Sequence, residues 1–375
     1  MKDKFLTWII LKLTQVCNLN CTYCYVYNRG DSSWKTRPAI ISHDVINQLV
    51  KRINEHCERN NLYDFGIEFH GGEPLIIGIG RFREILQTIT REIPTINLTF
   101  VIQTNGLLLT EEWVDLFEEY NVGIGISLDG PEQITDANRV DHMGRGITHK
   151  LLAIIKKLRE YNPDSFSPGF CCVVNPTLIA GDELVRWFSQ QEIDSYDLLL
   201  PDGNYINYPA HWEGAGSYSD FLISAFNEWF QMGARAPRIR KFEQMILGMF
   251  GNEIRLDSLG GDLKGICVVE SDGGITVNDV ARLCGGIFAK DELTIFQNTL
   301  DSHVTHFEID ELQELSDKCK SCRFLSSCGG GNLPHRFDGV SFKNPSIYCE
   351  ALYNLSEHIY TRVKETLPES AVLQE

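Results

Sequence analysis

Val16-Cys17-Asn18-Leu19-Asn20-Cys21-Thr22-Tyr23-Cys24-Tyr25 sets three cysteines at a Cys-x3-Cys-x2-Cys spacing directly behind an apolar run, Leu6 to Leu13. Cysteines this close share one tight loop, and three thiolates on one loop hold three corners of an iron–sulfur cube. A [4Fe-4S] cube held by three protein sulfurs leaves its fourth iron open, and an open iron can bind a substrate or cofactor besides passing electrons. Zinc is the competing occupant. Its sites usually draw on two close pairs of Cys or His, and no fourth ligand stands near this loop. Twelve cysteines among 375 residues are too dilute for a disulfide-stapled fold, and their bunching toward the two ends suits metal ligation in a reducing compartment.

Outward from this loop, the chain alternates short β-rich apolar runs with longer amphipathic stretches, the pattern of βα units. Strands are predicted at Leu6 to Leu13, Asp64 to His70, Asn97 to Gln103, Val122 to Leu128, Gly169 to Val174 and Ser195 to Leu200. Helical periodicity runs through Asp44 to Cys57, Gly80 to Arg91, Thr110 to Tyr120, Thr148 to Tyr161 and Ala180 to Gln191. The expected fold class is α/β, a partial (β/α)6 TIM-like barrel whose active face is the C-terminal ends of its strands. The cysteine loop already lies at such an end. Further on, Pro237, Gly260-Gly261 and the turn Asp272-Gly273-Gly274 break the alternation, and six of the twelve cysteines lie from Cys267 onward. Two domains are therefore expected, the barrel at 1–234 and, at 235–375, a bridging region with a second cluster-binding module. The polar tail after Thr361 is expected to be disordered.

Composition narrows the partners. An apolar content of 43% supports a sizeable core, and a net charge of −17 from 34 basic and 51 acidic residues argues against proteins that grip phosphates. Nucleic acid and anionic membranes are therefore not expected partners; a peptide or small molecule fits better. Lys12 interrupts the opening apolar run, no small-residue cleavage site follows, and no window approaches a membrane span. The cytoplasm is the expected location.

Behind the second predicted strand comes Phe69-His70-Gly71-Gly72-Glu73-Pro74-Leu75, whose two glycines let backbone approach a ligand and whose carboxylate can bind an ammonium group. The third strand ends in Gln103-Thr104-Asn105-Gly106 and the fourth in Ser127-Leu128-Asp129-Gly130-Pro131. In this order, with Tyr23 and Tyr25 flanking Cys24, these motifs resemble those of radical S-adenosylmethionine (radical SAM) enzymes. The resemblance implies that the open iron chelates the amine and carboxylate of the cofactor's methionine. Gly71, Gly72 and Glu73 would orient the amine, Asn105 and Ser127 would contact the carboxylate or the ribose, and Arg139 would pair with the carboxylate. The strand ending in Val173-Val174-Asn175 would pass the adenine at Val174, with Cys171 and Cys172 as packing residues. The cluster would split the sulfonium by one electron, and the 5'-deoxyadenosyl radical would take a hydrogen atom from an unreactive carbon. A flavodoxin- or ferredoxin-type electron donor is implied.

Near the C-terminus, Cys319, Cys322, Cys328 and the later Cys349 offer four sulfurs, enough to close a second cube. The Cys-x2-Cys-x5-Cys run resembles the SPASM extension of peptide-modifying radical enzymes, where these ligands hold an auxiliary [4Fe-4S] cluster. A zinc ribbon is the competing reading. The usual pattern has another cysteine four residues after the third, a ligand of a further cluster, and here that position is Asn332. Cys267 and Cys284 would be two remaining ligands of that cluster or ordinary buried thiols, and its absence is the favoured reading.

Finer runs, among them Cys24 to Asn28, Ser33 to Pro38, Arg139 to Gly146, Asp197 to Pro201 and His335-Arg336-Phe337, resemble the FxsB/XyeB-like branch, which forms cyclophanes during maturation of ribosomally made peptides (RiPPs). In such enzymes a side-chain Cβ radical adds to an aromatic ring two positions earlier, then loses one electron and one proton. The auxiliary cluster could accept the electron. Among Asp202, Glu270, Asp272 and Asp279, Asp279 is the candidate base. The implied partner is a precursor peptide with a leader; no separate recognition domain is expected ahead of Cys17, so the leader could add to an exposed strand edge. The alternative is a sulfatase-maturing, formylglycine-forming enzyme, against which Asn332 counts, followed by a thioether-forming or epimerising enzyme. A metal-binding adaptor with an inactive barrel is the non-enzyme reading, disfavoured by the intact Glu73 and N-terminal cysteines.

Overall fold

The computed structural model describes residues 5–287 and 293–366. In chain order its first elements are β1 (Trp8–Thr14), α1 (His43–Asn60), β2 (Asp64–Gly71), α2 (Ile79–Glu92), β3 (Asn97–Thr104), α3 (Glu111–Glu119), β4 (Val122–Ser127), α4 (Glu132–Thr135) and α5 (Thr148–Tyr161). Then come β5 (Gly169–Val173), α6 (Gly181–Gln190), β6 (Ser195–Leu199), α7 (Ala215–Met232), β7 (Arg238–Ile239), α8 (Arg240–Met249), β8 (Ile266–Val269) and β9 (Ile275–Thr276). All six predicted strands and five predicted helices are present, most with ends moved by a single residue. The chain groups into two compact units, one of residues up to 127 with 135–169 and 263–309, the other of 128–134, 170–262 and the residues from 310 on.

In the first unit the strand order is β4-β3-β2-β1-β8-β9. β1 pairs in parallel with β2, Leu11 opposite Phe69, and on its other edge with β8, Ile9 opposite Cys267. A strand with parallel neighbours on both sides is covered on both faces, which is why β1 reads as an apolar run and why Ile9, Leu11 and Leu13 are fully buried. β8 was not foreseen; β9 folds back on it antiparallel. Helix α1 starts where the Ser42 hydroxyl accepts the Val45 N–H at 3.2 Å and stops at Asn61, which turns left-handed at φ 51°.

The second unit holds the parallel strands β5, β6 and β7. Its last helix, Cys349–Thr366, buries Leu352, Leu355, Ile359 and Val363. The tail expected to be disordered is therefore helical as far as Thr366, because Val363 still has a core to face; the remainder lies outside the described residues. Among the described residues, no helix is long and apolar enough to cross a membrane.

Candidate active site

The cysteine loop follows β1 and is braced along the backbone. Asn20 N–H donates to the Val140 carbonyl at 2.8 Å, Thr22 N–H to the Asn138 carbonyl at 3.0 Å, and a His142 ring nitrogen lies 2.8 Å from the Cys17 carbonyl. The loop's interior turns close between Cys21 and Cys24 and between Cys24 and Asn28. Burial pushes the Cys17 thiol up to about 12, and the negative charges of Glu73, Cys21 and Cys24 push the same way. Three thiols that feel one another's charge in a buried loop fit a cationic cluster, whose irons would hold them as thiolates. Among the described residues no three His, Cys, Asp or Glu side chains converge as ligands of a single ion do. A cube makes no such demand, since each thiolate binds its own iron.

The Gly71-Gly72-Glu73 turn locks onto this loop. Gly72 N–H donates to the Thr14 carbonyl at 3.0 Å and Glu73 N–H to the Val16 carbonyl at 2.9 Å. A Cβ on Gly72 would overlap the Tyr27 hydroxyl and the Val16 carbonyl. Gly72→Ala is accordingly expected to cost about 1–3 kcal/mol by overpacking, read as a lowered urea midpoint, with reduced iron retention on the N-terminal loop. Glu73 itself points inward: its carboxylate accepts from Thr104 Oγ1 at 2.7 Å, Asn105 N–H at 2.8 Å and Leu75 N–H at 3.1 Å. Burial lifts this carboxyl to about 7 against those three donors. Glu73 therefore fixes the turn after β3, and that turn carries Asn105, whose amide donates to Asn18 Oδ1 at 2.7 Å and faces Cys17 Sγ at 3.9 Å. At the end of β4, Ser127 Oγ accepts from Gln103 Nε2 at 2.9 Å. Arg139 is buried, its guanidinium 5.4 Å from the centre of the Tyr23 ring, next to Cys24. Val174 lies in the second unit, buried, its N–H donating to the Leu199 carbonyl at 2.9 Å.

Below the loop lies a buried charged network of which sequence reasoning named the carboxylates Asp279 and Glu270 but not their cationic partners. Lys12 Nζ bonds Asp279 Oδ2 and lies 3.1 Å from His70 Nδ1, and the Tyr25 hydroxyl donates to the same Asp279 oxygen. Arg282 stands with Nε 3.5 Å from Asp279 Oδ1, pairs with Glu270, and reaches Asp31 at 2.7 Å. Glu270 also accepts from Gln15 Nε2 at 2.9 Å. Despite burial, Lys12, His70 and Arg282 hold the Asp279 carboxyl far below the usual carboxylate range. Of the other base candidates, Glu270 is fully buried in its ion pair, Asp272 is gripped twice by Arg37 at 2.6 Å, and Asp202 lies in the second unit, 3.7 Å from His335. The available signal for Lys12 was its charge in the middle of an apolar strand.

In the second unit, Cys319 sits in a helical turn capped by Ser316, Cys328 closes the turn Leu325–Cys328, and Cys349 starts the last helix. Burial raises the Cys328 thiol to about 12, with Cys322, Cys319 and Cys349 adding to it, so all four thiols share one neighbourhood. Gly330 N–H donates to Cys328 Sγ at 3.4 Å, the kind of bond that supports a cluster thiolate. Gly329, Gly330 and Gly331 all take positive φ, 58°, 89° and 77°, which side chains would resist. Asn332 caps the short helix Leu333–Arg336, its carbonyl accepting the His335 N–H at 3.1 Å. In the first unit, Cys267 is buried in β8 and burial alone raises its thiol, with no other cysteine contributing; Cys284 is buried in the 3-10 segment Val280–Ile287.

Residues 11–185 match the family model of the radical SAM superfamily. The chain is 28% identical over 365 residues to the cysteine-type anaerobic sulfatase-maturating enzyme of Clostridium novyi (strain NT), covering 94% of this chain and 95% of that one. In fold it is similar to native anSMEcpe with bound AdoMet and Kp18Cys peptide, with a TM-score of 0.81, 22% identity, and 96% and 98% of the two chains covered. It is similar, too, to Streptococcus suis SuiB bound to precursor peptide SuiA, with a TM-score of 0.61, 15% identity, and 92% and 76% covered. The α/β fold with its parallel strands and C-terminal SPASM-type module thus stands as expected.

Proposed function

With residues 11–185 forming a radical SAM domain, we propose that this chain oxidises a cysteine or serine side chain within a polypeptide to formylglycine. The observation that carries this reading is Asp279, a buried ionised carboxylate tied to the tyrosine next to Cys24. The likeness to a cysteine-type anaerobic sulfatase-maturating enzyme along nearly the whole of both chains supports it over the cyclophane reading, although Asn332 counted the other way. Cys17, Cys21 and Cys24 would hold the cube that binds S-adenosylmethionine, with Gly71, Gly72, Glu73, Asn105, Ser127 and Arg139 around it. Cys319, Cys322, Cys328 and Cys349 would hold one auxiliary [4Fe-4S] cluster. When bound, these groups supply a carbon radical that removes a hydrogen atom from the substrate Cβ and an acceptor for one electron.

The protein's own part is the remaining proton. As the Cβ radical gives up its electron, the neighbouring thiol or hydroxyl becomes acidic, and Asp279 takes its proton while a C=S or C=O bond forms. A weak base suffices for so acidic a proton. Water then converts a thioaldehyde to the aldehyde and releases hydrogen sulfide.

Carbon–carbon crosslinking remains the second reading, favoured by Asn332 as a helix cap where a further cluster ligand would stand. One experiment separates the two. The anaerobically reconstituted chain is given a sulfatase-derived peptide containing the target cysteine and, separately, an aromatic-rich precursor peptide. Aldehyde formation with one 5'-deoxyadenosine per product is the expected result. Loss of two hydrogens from the precursor, with the sulfatase peptide untouched, would replace formylglycine by the crosslink.

A further inference from the structure

Lys12 lies in the middle of β1, and its side chain is only 2% exposed. An ammonium in such a place is costly unless paired and hydrogen-bonded. Its partners are Asp279 Oδ2 and His70 Nδ1, with the Tyr25 ring 6.0 Å away. Because Tyr25 donates to that same Oδ2, the carboxylate is asymmetric. Oδ1 has no hydrogen bond among the described residues and only the Arg282 Nε at 3.5 Å. We propose that Lys12 is a positioning residue: together with Tyr25 it saturates Oδ2, and so presents Oδ1 as the oxygen that receives the substrate proton.

The inference rests on Asp279 being the base of the proposed oxidation. In that step the S–H bond breaks, its proton goes to Oδ1, one electron goes to the auxiliary iron–sulfur cluster, and C=S forms; Lys12 neither gives nor takes a group. His70 takes part as an acceptor: burial pushes it down to about 4, and its Nδ1 receives both Lys12 and the Gly71 N–H, the latter at 2.8 Å. Lys12 thereby joins the base to the Gly71-Gly72 turn. The titratable groups facing Asp279 are the cations Lys12 from β1 and Arg282 from the 3-10 segment, the latter balanced by Glu270 and Asp31, and the neutral His70 from β2 and Tyr25 from the cysteine loop.

Lys12→Met is one atom shorter than lysine, keeps the unbranched apolar stem and removes the charge. With the sulfatase peptide, 5'-deoxyadenosine formation should stay within about twofold, while product per 5'-deoxyadenosine falls at least about tenfold at neutral pH, the equivalent of roughly 1.4 kcal/mol. Lys12→Arg, which puts a cation back beside Oδ2, should restore the ratio. A second readout needs no cofactor: in the apo chain labelled with 13C-aspartate, and assigned with Asp279→Asn, the Asp279 carboxyl should titrate at higher pH in Lys12→Met. An unchanged ratio, a parallel loss of product and 5'-deoxyadenosine, or an unmoved carboxyl titration would overturn the role of Lys12. If wild type makes no aldehyde, the formylglycine reading fails and the titration still decides the placement of Lys12. Should Lys12→Met not fold, Lys12→Gln carries the same comparison.

Discussion

Cys17→Ala, Cys21→Ala and Cys24→Ala, each made alone, are expected to abolish 5'-deoxyadenosine formation and to lower bound iron from about eight to about four atoms per chain, with the fold retained. Each thiolate is assigned its own iron, so removing one leaves a cube on two legs, open at two corners and easily lost. The fold should survive because the first unit is held by Ile9, Leu11, Phe69, Ile102 and Ile126 on strands whose pairing does not involve the loop. Cys267→Ala is the control. Its thiol is buried in β8 with no other cysteine contributing to its raised pKa, so iron content should not change. Iron near twelve atoms in wild type, or a loss of about four with Cys267→Ala, would instead require a further auxiliary cluster completed by ligands other than thiolates. Anaerobic iron analysis and chromatography of the cofactor products make both measurements.

The strands and helices of the βα units were legible because buried parallel strands leave uninterrupted apolar runs, and the helices between them keep a period of 3.6. Thr148–Tyr161 came out to the residue. Strand β8 was not legible. Ile266-Cys267-Val268-Val269 is four residues long, and what makes it a strand is the free edge of β1, far away in sequence. At the site, the motifs at strand ends could be read locally, since Gly71-Gly72, Asn105 and the three cysteines each act within a few residues. Arg139 was named from the resemblance alone, and its burial against Tyr23 is a contact that local pattern does not encode. Lys12 was visible as an interruption but not as half of an ion pair, because its partner Asp279 is 267 residues on. Long-range charge pairing leaves only half its signal at each end.

Asp279→Asn should be among the most destabilising isosteric changes in the molecule, costing about 3–5 kcal/mol near neutral pH, since it leaves Lys12 buried without a counter-charge. Arg282 is less exposed to the loss, because Glu270 and Asp31 still face it. The sign of the pH dependence follows from Asp279's depressed carboxyl. In the unfolded chain this group titrates near 3.8, so its stabilisation is complete above that value and is lost as pH falls toward the lower folded value. The gap between wild type and Asp279→Asn in urea unfolding should therefore be widest near neutrality and narrow below about pH 4. Adding Lys12→Met to Asp279→Asn removes the orphaned ammonium, and the pair should recover part of the lost stability, with a coupling within about 0.5–3 kcal/mol for residues in contact. Product formation should not recover with it, because the double variant has regained a neutral core but no oxygen able to take the substrate's proton. A double variant as unstable as Asp279→Asn alone would mean that the carboxylate stabilises the fold through Tyr25 or Arg282 rather than through Lys12.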